Sequence, residues 1–251
     1  MQDRPSSLPL SRLSLRERER GLVLGGVGTG KSTLADVLGQ EFVTRYRGQH
    51  ARRLILDSKP RYRGEYLVNG LSAKRRYRKW DHGEPIRNSV ICDDPRDLER
   101  AFSMAPNVIC QGESGSDIPR LVACAEAFLR SSRAGRPQLL QVDEAKDYYH
   151  ENGMSRGGND AILRSVRAGR ERGTGCLICS QRTKGIPPSL MEELSRCYLF
   201  RMDYRADAKR LQEMGAPATM GPPRRAHEFI YWTKDEYEKV YGPYVLALPR
   251  R

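Results

Sequence analysis

Eight consecutive residues, Gly25-Gly26-Val27-Gly28-Thr29-Gly30-Lys31-Ser32, narrow what this chain can fold into more than any other stretch. They follow the apolar run Gly21-Leu22-Val23-Leu24 and open a segment with helical periodicity. The spacing G-x-x-x-x-G-K-[S/T] between a strand and a helix is that of a phosphate-cradling P-loop. Glycines there tolerate positive φ and close approach, so backbone N–H groups converge on an anion, and the helix N-terminus adds its dipole. On this reading Gly25, Gly28, Thr29, Gly30, Lys31, Ser32 and Thr33 bind a nucleotide, with Lys31 reaching the β/γ-phosphates and Ser32 a Mg2+ ion. The competing reading is a purely structural glycine-rich turn.

The rest of the chain supplies the alternation that such a loop requires. Apolar strands are expected over 21–25, 52–57, 88–92, 107–111, 138–143, 175–180 and 197–202, with amphipathic helices over 31–45, 95–104, 117–132, 159–172, 188–195 and 205–214. Strand-helix repetition predicts an α/β fold, a mainly parallel sheet with helices on both faces. At 251 residues the chain could hold one such domain with an insertion or two small ones, and the continuous pattern favours one. Residues 1–20 form a basic N-terminal arm, 21–214 the core with a basic insertion at 58–87, and 215–251 a C-terminal extension with a candidate hairpin.

Charge indicates the partner class. Lys and Arg number 44 against 31 Asp and Glu, a net +13 that points to an anionic partner, nucleic acid first, with a merely solubilising surface as the alternative. The excess is local: residues 45–90 hold 13 basic and 4 acidic side chains, with Lys74, Arg75, Arg76, Arg78 and Lys79 interleaved with Tyr77 and Trp80. The 6 cysteines lie mostly in apolar runs, which argues for reduced thiols and a cytosolic setting, and Cys176–Cys179 lacks the second pair that a zinc site needs. No apolar run approaches the roughly 20 residues of a membrane span, and the first 20 residues lack a signal-peptide core. A soluble, intracellular protein is expected.

Further motifs add chemistry. Leu139-Leu140-Gln141-Val142-Asp143-Glu144 has the form of a Walker B strand, Asp143 serving the Mg2+ shell and Glu144 polarising an attacking water. A buried strand ending in solvated acids is the plainer alternative. Leu177-Ile178-Cys179-Ser180-Gln181-Arg182 is an apolar strand that places an amide, Gln181, at the nucleotide edge of a parallel sheet. Before it, Arg164 to Gly173 holds more arginines than a solvated helix end requires, and one of them could act on a neighbouring subunit's phosphate.

Taken together, Gly26 to Thr33, Asp143-Glu144, Ala168-Gly-Arg-Glu-Arg-Gly173, Ser180-Gln181-Arg182 and Gly185-Ile186-Pro187 resemble the FtsK/HerA superfamily of DNA-pumping ATPases over about residues 21–214. The resemblance implies a RecA-like (ASCE) P-loop core using ATP and Mg2+, assembled as a ring, commonly a hexamer, around double-stranded DNA. The family's trans-acting arginine matches Arg170, with Arg172 the near alternative. The small size is similar to viral genome-packaging ATPases, which implies capsid or virion-membrane vertex partners and a place in the host cytoplasm or the virion. Thr183 stands where many relatives carry proline. A conjugation or secretion ATPase is the second reading, and a small-molecule P-loop kinase, which needs neither Gln181 nor a trans arginine, the third.

Overall fold

The computed structural model describes residues 13–59, 65–68, 71–74, 88–112, 115–149, 161–184, 186–202, 205–213, 215–216, 223–225, 227–234 and 240–246. They build one sheet of 11 strands in the order β11-β10-β9-β1-β8-β7-β2-β6-β5-β3-β4. In chain order these are β1 (Arg20–Leu24), β2 (Arg52–Asp57), β3 (Glu65–Val68), β4 (Leu71–Lys74), β5 (Ser89–Cys92), β6 (Asn107–Gln111), β7 (Gln138–Val142), β8 (Thr174–Ser180), β9 (Arg196–Phe200), β10 (Glu228–Thr233) and β11 (Val240–Val245). The run from β9 to β3 is parallel throughout. Antiparallel strands β10 and β11 close one end and β4 the other.

Parallel strands buried on both faces read as continuous apolar runs, and β1, β6, β7, β8 and β9 are buried at every position. Alternate residues serve different cores. Leu22, Leu54, Leu140 and Ile178 face helices α2 (Leu98–Met104), α3 (Ile118–Arg130), α4 (Ala161–Arg172) and α5 (Pro188–Glu192). Val23, Leu139, Leu177 and Tyr198 face α1 (Lys31–Arg45), whose Leu34, Leu38 and Phe42 recur at four-residue spacing. Helix α6 (Arg205–Glu213) follows β9. All the predicted strands and helices are present, and the sheet is the expected α/β arrangement.

Two stretches differ from the sequence reading. The described parts of the basic insertion, β3 and β4, extend the sheet beyond β5 instead of interrupting it, while the clustered basic residues 75–79 lie outside the described residues, as does Trp80. At the N-terminus, Leu13 and Leu15 are buried beside Tyr198, whose hydroxyl donates to the Leu13 carbonyl, so packed chain begins before residue 20. Residues 1–12 lie outside the described residues. The hairpin in the C-terminal extension is present as β10 and β11, with Phe229, Tyr231 and Tyr244 packed into the α1-side core. Among the described residues no helix is long and apolar enough to cross a membrane.

Candidate functional site

The C-terminal ends of parallel strands share one edge, and the strand order decides which loops meet there. Strand β8 lies between β1 and β7. The loop after β1 is therefore flanked by the ends of β8 and β9, and Gln181 sits between that loop and the Asp143–Glu144 pair. Backbone hydrogen bonds carry this alignment past the strands: Gly25 N–H donates to the Ser180 carbonyl at 3.4 Å, and Gly26 N–H to that of Arg201 at 2.9 Å.

Within the loop, Gly28 and Gly30 adopt positive φ of 71° and 103°. At Gly25 the constraint is crowding instead, since a Cβ there would stand 2.5 Å from Phe200 Cβ and 2.8 Å from Thr29 Oγ1. Thr29 Oγ1 donates to the Gly26 carbonyl at 2.9 Å and Lys31 Nζ donates to the same oxygen at 2.8 Å, so the lysine folds back over the loop. Helix α1 starts with Gly30 as its cap, with no side-chain capping bond and no acidic residue in its first turn. The positive end of the dipole is left for an external anion. Ser32 and Thr33 lie in that first turn.

Beyond β7, Asp143 and Glu144 are 6% and 5% exposed, a pair of carboxylates withdrawn from water. Glu144 Oε1 accepts from Ser180 Oγ at 3.1 Å and from Gln181 N–H at 3.2 Å. Gln181 Oε1 in turn accepts from Lys146 Nζ at 3.4 Å. The loop after β8 is held from α6: Asp207 accepts from Thr183 N–H and Oγ1 and from Arg182 Nε, and Arg210 donates to the carbonyls of Thr183 and Ile186.

The structure thus brings Gly25, Gly28, Thr29, Gly30, Lys31, Ser32, Thr33, Asp143, Glu144 and Gln181 to one edge. Arg170 is elsewhere. It sits near the end of α4, beside Gly169, where a Cβ would stand 3.0 Å from the Thr174 carbonyl at the start of β8, the opposite end of the sheet. On the same helix Arg164 pairs with Glu126, and Arg167 and Arg172 are exposed.

Several residues escaped the sequence reading. Ser180 figures in the sequence only within the Ser180-Gln181-Arg182 motif, and Asp207 and Arg210 fall inside the helix expected over 205–214 with no motif to mark them. Arg53, in β2, is fully buried, donating Nη2 to Asp36 Oδ1 of α1 at 2.8 Å and Nε to Gln141 Oε1 of β7 at 3.1 Å. Gln141 Nε2 reaches the same Asp36 oxygen at 3.3 Å. An arginine and a glutamine inside two apolar strands were the signal.

The donor set fits a nucleotide with Mg2+: an uncapped helix start, an ammonium over a glycine loop, a first-turn serine hydroxyl and a buried aspartate. Comparison with known structures bears on the fold. In fold, this chain is similar to a viral genome-packaging NTPase. That NTPase, B204 of Sulfolobus turreted icosahedral virus 2 in complex with ATP-gammaS, aligns at TM-score 0.60 and 14% identity over 91% of this chain and 98% of its own. B204 from Sulfolobus turreted icosahedral virus, described as its DNA-packaging ATPase, aligns at TM-score 0.55 and 14% identity over 92% of this chain and 100% of that one. ATPases 2 and 3 of EssC from Geobacillus thermodenitrificans align at TM-score 0.53 and 13% identity, over 92% of this chain but 40% of that one. The RecA-like P-loop fold expected from the sequence is therefore found. No protein-family model matches the sequence, and no curated protein matches it.

Proposed function

We propose that this chain is an ATP-driven double-stranded DNA translocase, the motor of viral genome packaging. One observation carries the reading: β8 between β1 and β7 sets Gln181 beside the Ser180-held Glu144, at the edge where the P-loop opens. A nucleotide's γ-phosphate has both a hydrolytic carboxylate and a strand-end amide at hand in such an arrangement. Lys31 would leave the Gly26 carbonyl to contact the β/γ-phosphates, and Ser32 and Asp143 would hold Mg2+, which supplies neutralisation of phosphate charge when bound. Glu144 orients the attacking water, and its two donors fix the carboxylate for that role.

Arg170 stands at the sheet end remote from its own P-loop, so it can serve hydrolysis only across a subunit boundary. This supports a ring, taken as a hexamer. The basic insertion supplies the DNA contact, and capsid or membrane vertex proteins the anchor, in the host cytoplasm or the virion. The likeness to EssC supports a secretion-type ATPase as the second reading.

The deciding measurement is the ATPase rate with and without double-stranded DNA, with particle mass recorded in the same samples. Stimulation by DNA together with a ring-sized mass is expected. DNA-insensitive phosphate transfer to a small acceptor would establish a kinase instead. Glu144→Gln should keep nucleotide binding and lose hydrolysis, whereas Lys31→Ala should lose both.

A further inference from the structure

A concavity of about 680 Å³ lies at the sheet edge opposite the P-loop, where β2, β5 and β6 begin. Its floor is apolar, with Val43, Ala51 and Phe102 buried beneath it. On one side Met104, the last residue of α2, is 45% exposed, one of three large hydrophobic side chains so exposed among the described residues. The rim is cationic, formed by Arg47, Arg52 and Arg136 with His50 among them, and no acidic side chain lines it among the described residues.

The charge is only partly compensated. Glu99, outside the lining, takes Arg52 in a two-pronged pair at 2.8 and 3.0 Å, and the same guanidinium lies 4.8 Å over the Phe102 ring. Arg47 and Arg136 have no ion pair among the described residues. Burial first, then the nearby charges of Arg52 and Arg133, push the Arg136 guanidinium below its ordinary value, with Glu99 the weaker opposing influence. The C-terminal ends of α1 and α2 offset some of this positive potential. Backbone strain gathers here too. His50 and Asn88, both in the lining, hold left-handed φ of 54° and 53°, two of the four such non-glycine residues described.

Size and chemistry select the occupant. A cavity of this volume holds a few side chains, not a duplex. Its aromatic ring is covered by Arg52, so bases find no stacking platform. An apolar floor under unpaired guanidiniums matches a chain that offers carboxylates and one aliphatic group together. We propose that this cavity docks an acidic peptide segment of a partner protein, its carboxylates on Arg47 and Arg136 and an aliphatic side chain against Met104.

The test is fluorescence anisotropy of the full-length protein with a library of labelled eight-residue peptides, each rich in Asp and Glu around one Leu, Ile or Phe. Saturable binding is expected for a subset, weakened at least tenfold by Arg47→Glu with Arg136→Glu, and separately by Met104→Asp at the exposed position. Replacing the apolar peptide residue with serine should cause a similar loss. ATP hydrolysis should continue in these variants, since the cavity is remote from Lys31 and Glu144. Absence of binding across the library overturns the proposal, as does binding that the three substitutions leave unchanged. Weakened binding of a duplex DNA oligonucleotide in place of the peptides would also overturn it, assigning the face to nucleic acid.

Discussion

Thr183 gives both of its donors to one oxygen of Asp207, the backbone N–H at 2.8 Å and the hydroxyl at 2.5 Å. Both residues are 1% exposed, so the carboxylate depends on these bonds and on Arg182 for its compensation. A proline at 183 would have neither an N–H nor a hydroxyl to give. Thr183→Pro should lower stability by about 1–3 kcal/mol, and Thr183→Val, which keeps the N–H, by less. Thermal unfolding of the two variants side by side checks the order.

The single Ser180 hydroxyl proton is shared between Glu144 Oε1 at 3.1 Å and the Arg182 carbonyl at 2.8 Å, so Ser180→Ala weakens the hold on Glu144 and leaves the Gln181 N–H. Loss of a hydrogen bond to a carboxylate corresponds to about 1.5–3 kcal/mol. If Glu144 orients water, kcat should fall by roughly tenfold while nucleotide affinity stays near wild type. Steady-state kinetics with a parallel binding titration separates the two, and an unchanged kcat would remove Ser180 from the hydrolytic arrangement.

The glycines of the loop should respond differently to alanine. At Gly28 a Cβ meets nothing within 4 Å, so only the φ of 71° opposes the change, a cost of about 1–2 kcal/mol. At Gly25 the Cβ would run into Phe200 and Thr29, and the start of the loop must shift. Gly25→Ala should therefore lose more stability than Gly28→Ala and should also lose nucleotide binding, measured by melting and by fluorescent-nucleotide titration.

All six cysteines are buried and unbridged. Burial pushes the thiols of Cys92, Cys176 and Cys197 up to about 12. A raised thiol value means less thiolate at any given pH, on the order of one part in ten thousand at pH 8. A thiol-reactive disulfide reagent should react slowly with the native protein at that pH and count all six groups once it is denatured. Rapid reaction of the native protein would contradict the burial.

Helix α1 offers a test in which propensity and packing disagree. Gly39→Ala in its interior would add about 1 kcal/mol by propensity alone. A Cβ at that position, however, would press into the Arg53 guanidinium, 2.8 Å from Nη2 and closer still to Nε. Packing should win, and the variant should melt below wild type, by about 1–3 kcal/mol.

The sheet was legible because its parallel strands are buried on both faces, which leaves unbroken apolar runs such as Leu54-Ile55-Leu56 and Leu177-Ile178-Cys179. The P-loop was legible because its glycines answer to local backbone geometry. What holds Glu144 was not, because Ser180 lies 36 residues away and meets it only through the β7–β8 pairing. The bonds from Asp207 and Arg210 likewise arise from α6 folding back beside the loop after β8. Strands β3 and β4 were not legible because each is only four residues long, Glu65–Val68 and Leu71–Lys74, too short to display a period.

The fully buried Arg53 joins three elements that are far apart in sequence: the P-loop helix through Asp36, its own strand β2, and the strand leading to Asp143 through Gln141. Separating any two would strand a guanidinium in the protein interior, a costly event. The loop after β1 and the Asp143–Glu144 pair are thereby mounted on one stiff chassis. Any movement that accompanies nucleotide turnover must then leave this three-way joint intact.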